Sequence, residues 1–96
     1  MPIEILGNEI FTQTLTGTES LSITEADGVG TISVLCTSST AGSILGAATI
    51  DGKASEAISV AENNSVTISA SNGKTLGTLT ITAPSGCTLL VIANQG

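Results

Sequence analysis

Apolar and polar residues alternate with a period of two along most of this chain, and turn residues break the alternation roughly every 8–12 positions. A helix would need apolar residues at i, i+3, i+4 and i+7, and no long stretch supplies that spacing. Period two instead sends successive side chains to opposite faces of a strand. Residues 65–70 show it cleanly: Val66, Ile68 and Ala70 alternate with Ser65, Thr67 and Ser69. In 31–37 the residues Ile32, Val34 and Cys36 share a face, and in 19–25 Leu21 and Ile23 oppose Ser20, Ser22 and Thr24. Further strands are expected over 8–16, 43–50, 54–60, 75–83 and 87–93.

Between them stand turn signals: Gly17, Ala26-Asp27-Gly28, 38–42, Asp51-Gly52, Glu62-Asn63-Asn64, Asn72-Gly73 and Pro84-Ser85-Gly86. Asp-Gly pairs tolerate positive φ, so Asp27-Gly28 and Asp51-Gly52 read as hairpin turns. Leu76 is out of phase with Leu79 and Ile81, which predicts a bulge near Gly77. Thr and Ser contribute 27 residues and Ile and Val 16, types that suit pleated, half-buried surfaces. The expectation is an all-β chain: an antiparallel β-sandwich of about eight strands, jelly-roll-like, with no helix longer than about two turns. Residues 8–96 form that single domain. Residues 1–7 carry Ile3, Ile5 and Leu6 as an arm that adds to a neighbour's sheet edge, or equally as the domain's own first edge strand.

Residues 87–93 break the rhythm, because Leu89, Leu90, Val91 and Ile92 are all apolar. An apolar run on both faces needs cover on both. The strand is therefore central, or it meets another subunit. The chain has one aromatic, Phe11, and a small domain with an aliphatic core is marginal alone. Together these predict a homo-oligomer, most simply a trimer, with Leu89, Leu90, Val91, Ile92, Ile3, Ile5 and Leu6 at the interface.

Composition removes several functions. Net charge is −6, so no basic face exists to neutralise phosphates, and nucleic acid is not an expected partner. No His is present, which removes an imidazole base, Ser-His and Cys-His pairs and His-ligated metals. No Trp or Tyr offers a stacking platform. The acids Glu4, Glu9, Glu19, Glu25, Asp27, Asp51, Glu56 and Glu62 fall at strand ends and turns, where no spacing selects a catalytic pair. Glu25/Asp27 and Glu62/Asn63/Asn64 are the sole calcium candidates, and neither has the spacing of an EF-hand loop. Asn63-Asn64-Ser65 fits the glycosylation sequon but reads as a turn. Gly28-Val29-Gly30 lacks the rest of a nucleotide fingerprint. No catalytic, metal or cofactor site is expected.

No stretch has the ~18 apolar residues of a membrane helix, and Met1-Pro2-Ile3-Glu4 lacks the basic and apolar regions of a secretory signal, although a mature form could have lost one. On that reading the chain assembles in a reducing cytosol, and Cys36 and Cys87 are expected to be reduced and buried; the alternative is a disulfide between them, whose large closed loop would be worth ~4 kcal/mol.

Two segments carry threonine rows: Thr12, Thr14, Thr16 and Thr18, then Thr78, Thr80 and Thr82. They resemble the arrays of β-helical ice-binding proteins, without a fixed repeat period. The stretches Ala48-Thr49-Ile50-Asp51-Gly52, Ile58-Ser59-Val60-Ala61-Glu62-Asn63-Asn64-Ser65-Val66-Thr67-Ile68 and Leu79-Thr80-Ile81-Thr82-Ala83-Pro84-Ser85-Gly86-Cys87-Thr88 resemble small all-β virion proteins of tailed bacteriophages: capsid decoration and head-fibre or tail-associated β-sandwich domains. The resemblance implies a non-enzymatic accessory protein of the virion, assembled in the host cytoplasm, whose partners are itself and other virion proteins. The alternative class is an extracellular carbohydrate-binding or adhesin-like sandwich.

Overall fold

The computed structural model describes residues 10–46, 56–70 and 74–94. Eight strands run in chain order: β1 Ile10–Thr16, β2 Glu19–Ile23, β3 Thr31–Cys36, β4 Gly42–Gly46, β5 Ile58–Val60, β6 Ser65–Ser69, β7 Leu79–Ala83 and β8 Thr88–Asn94. They form two four-stranded sheets, ordered β1-β8-β3-β6 and β2-β7-β4-β5. Every pairing is antiparallel. This strand order is that of a jelly roll, so the expected fold class is what the chain adopts. Only β4 and β5 are both consecutive and in one sheet.

Period two decides which residues enter the core. Sheet β1-β8-β3-β6 sends inward Leu15, then Cys87, Leu89, Val91 and Ala93, then Ile32, Val34 and Cys36, all at most 1% exposed. The opposite sheet sends inward Leu21, Ile23, Ile44, Val60, Ile81 and Ala83. Phe11, Val66, Ile68, Ala70 and Leu79 pack half-buried against them. Branched aliphatics thus build the core, and none of the buried described residues is polar or charged. Fully burying a side chain of this size is worth ~1.5–3 kcal/mol.

Several turns differ from the sequence expectation. Ala26-Asp27-Gly28 is no hairpin. Glu25–Asp27 is a short 3-10 turn ended by Gly28 at φ 74°, and it carries the chain from one sheet to the other. The Asp27 carboxylate accepts from Thr24 N at 2.7 Å, a local bond that holds the corner. Glu62-Asn63-Asn64 and Pro84-Ser85-Gly86 are turns as expected, and each is a corner between sheets, with Asn63 at φ 62° and Gly86 at φ 84°. The bulge expected near Gly77 is absent, because β7 begins at Leu79. Residues 74–78 run instead beside the β2–β3 connection. There Leu76 N donates to Val29 O at 2.7 Å, and the Leu76 side chain is buried out of phase with the strand. Thr18 does not extend the threonine row either; it sits in the β1–β2 turn at φ 64°. The expected turns at Asp51-Gly52 and Asn72-Gly73, and the arm 1–7, lie outside the described residues.

Candidate interaction surface

The run in β8 splits by face. β8 lies between β1 and β3, so it is a central strand. Leu89 and Val91 are fully buried and belong to this domain's own core, which corrects their placement in a shared interface. Leu90 is half-buried and Ile92 is 38% exposed on the outer face. Ile3, Ile5 and Leu6 lie outside the described residues.

The registers assemble the rest of that face. Thr14, Leu90, Leu35 and Ser65 form one row across β1, β8, β3 and β6. Thr12, Ile92, Ser33 and Thr67 form the next, and Ile10, Asn94, Thr31 and Ser69 the third. No member of the three rows carries a charge. Hydroxyls pair across strands: Ser33 Oγ lies 2.9 Å from Thr67 Oγ1, and Thr31 Oγ1 donates to Ser69 Oγ at 3.3 Å. Such cross-strand pairs hold side chains in register and leave less freedom to lose on docking. Ile10, at 67% exposure, ends the first strand of this surface.

The sequence pointed to Leu90, Ile92 and the β1 threonines Thr12 and Thr14, but not to Leu35, Ile10 or the hydroxyls of β3 and β6 beside them. Alternation within one strand marks two faces. Which faces become neighbours depends on a sheet order that joins β1, β8, β3 and β6 across long separations.

The outer face of the second sheet follows the same rule, with Ser20, Ser22, Thr80, Thr82, Ser43, Leu45 and Ser59. Charge among the described residues stands at the margins instead. Glu25 and Asp27 occupy the 3-10 turn, Glu62 a corner, and Glu56 and Lys74 loops. Glu19 begins β2 and turns its carboxylate back across the turn, accepting from Thr16 N at 2.7 Å and Thr16 Oγ1 at 3.1 Å. These bonds from the Thr16 N–H and hydroxyl hold its carboxyl below the usual carboxylate range.

Among the described residues, no three metal-ligating side chains come together. None of their helices is long and apolar enough to cross a membrane. Glu25/Asp27 and Glu62/Asn63/Asn64 stay apart as corner residues of separate turns.

No family model matches the chain, and no curated protein matches it. A solved structure described under "Bacillus endospore appendages form a novel family of disulfide-linked pili" is similar at a TM-score of 0.42 and 13% identity, covering 94% of this chain and 92% of that one. A likeness that weak says nothing about what this chain binds or builds.

Proposed function

We propose that this chain is a non-enzymatic structural protein that works by docking the outer face of β1-β8-β3-β6 on further copies of itself. The observation that carries the reading is the exposure of Ile10 (67%) and Ile92 (38%) beside half-buried Leu35 and Leu90 on an uncharged face, in a molecule of net charge −6; the outer face of the second sheet, equally uncharged, has Leu45 alone among its described residues as a large apolar side chain. Like-charged copies repel, and an uncharged face with Ile10, Leu35, Leu90 and Ile92 among hydroxyls lets them meet without burying an unpaired carboxylate. In its finer form the proposal is an accessory protein of a tailed-phage virion, assembled in the host cytoplasm. The copy number proposed is three, which a heterologous contact reaches by closing a ring.

Light scattering coupled to size exclusion tests the assembly. The wild type is expected to elute with the mass of a trimer. Ile92→Asp is expected to elute as a monomer with an unchanged far-ultraviolet spectrum, since residue 92 lies outside the core. A monomeric wild type at tens of micromolar overturns the proposal. Co-sedimentation with phage capsids lacking this protein tests the finer form, and failure of the assembled protein to bind them rejects it.

A further inference from the structure

The chain has two cysteines, distant in sequence, and the fold brings them together. Cys36 ends β3 and faces Leu89 across the β3–β8 register. Cys87 stands two residues before Leu89, hence on the same inward face, one diagonal step away. Both thiols are buried, at 0% and 1% exposure. Around Cys36 lie polar groups of the β3–β4 connection. Cys36 Sγ donates to Ser38 O or Thr40 O, each at 3.3 Å, and lies 3.6 Å from Ser38 Oγ. Ser38 Oγ is itself pinned, accepting from Thr88 N at 2.8 Å and donating to Thr40 O at 2.9 Å. That hydroxyl bridges the β3–β4 connection to the start of β8.

The two thiols are not equivalent. Burial alone would raise Cys36, but the Ser38 hydroxyl, the Ser38 backbone, the Cys87 thiol and the Gly42 backbone together outweigh it and leave Cys36 lowered. Burial raises Cys87 against the Ser38 hydroxyl, and the neighbouring Cys36 raises it further. The Cys36→Ser and Cys87→Ser variants distinguish which thiol attacks first and which resolves.

We propose that Cys36 and Cys87 are a reversible intrachain disulfide site, closed by exchange with a small-molecule disulfide such as oxidised glutathione. The Cys36 thiolate attacks one glutathione sulfur, and the other glutathione leaves as its thiolate. The Cys87 thiolate then attacks the Cys36 sulfur and expels the second glutathione. The protein loses two thiol protons and two electrons, and one oxidised glutathione becomes two reduced ones. Disulfides want Cα atoms about 4.4–6.8 Å apart, and diagonal strand neighbours stand near or beyond that limit. Closing the bond therefore requires Cys87 to shift toward Cys36, and Cys87 follows directly on the corner Pro84-Ser85-Gly86, whose residues are exposed. Reagent enters by opening of the 37–41 connection, whose Thr37 and Ser39 are exposed.

The test is intact-mass and peptide analysis of the folded, reduced protein after incubation with oxidised glutathione. The expected wild-type product is lighter by about 2 Da, holds no glutathione, links the Cys36 and Cys87 peptides within one chain, melts at a higher temperature, and reverts with reductant. Cys87→Ser is expected to retain one glutathionyl group on Cys36, and Cys36→Ser to react far more slowly. Wild-type protein that keeps glutathione without a cross-link, forms covalent dimers, or cross-links only in denaturant overturns the proposal. Equal adduct rates for the two variants overturn the assignment of Cys36 as attacker. The wild-type measurement decides alone if either variant fails to fold, and it is independent of self-assembly.

Discussion

Leu89 occupies the volume that a side chain at position 42 would need. A Cβ built on Gly42 would stand 2.5 Å from Leu89 Cδ1 and 2.8 Å from Cδ2. Leu89 is fully buried, so the leucine must repack within a filled core. Gly42→Ala is expected to cost about 1–3 kcal/mol of stability by overpacking, read as a lower urea midpoint. Gly77→Ala is the internal control. Nothing lies within 4 Å of its Cβ position, so a change within about 0.5 kcal/mol is expected. Equal effects at the two sites would contradict the close approach at Gly42. Single residues also mark where sequence reading stopped. Thr18 continues the spacing of Thr12, Thr14 and Thr16, yet its φ of 64° places it in a turn. Threonine rarely adopts that conformation, so no spacing argument could have found it there.

Among the described elements, the β1–β2 corner carries a pH dependence of its own. The Glu19 carboxylate accepts two bonds from Thr16, and its proton affinity is lowered in the folded chain. A lowered group stabilises the fold while ionised, at pH above its unfolded value. That contribution is lost as the pH falls through the lowered folded value. Urea midpoints taken from neutral pH down to about pH 3 should therefore fall more for the wild type than for Glu19→Gln. Identical pH profiles would show that the corner does not draw on the ionised carboxylate. The alternation of β2, β3 and β6 was legible in sequence, because period two maps directly onto a pleated strand, whereas the all-apolar run in β8 hid which of its residues face the core. The corners were less so. Asp27-Gly28 carries the signal of a hairpin, but positive φ at Gly28 serves a turn between sheets equally well. Leu76 was read as part of a distorted strand, whereas its partner is Val29, a contact that only tertiary structure defines.

At the scale of the whole molecule, nearly every connection crosses from one sheet to the other. Each sheet therefore closes only when distant parts of the chain have met, and the entropy of closing those loops precedes the reward. Stopped-flow refolding is expected to take milliseconds to seconds, and a microsecond phase that recovers the full native signal would contradict it. The sheet order has a mechanical consequence as well. In the β1–β8 pair, Ile10 faces Asn94, so the start of one strand and the end of its neighbour lie at the same end of the ladder. Tension applied between those two points pulls the strands apart one hydrogen bond at a time, as a zipper opens, and does not load the ladder in shear. The fold therefore yields at low force when stretched between those two points.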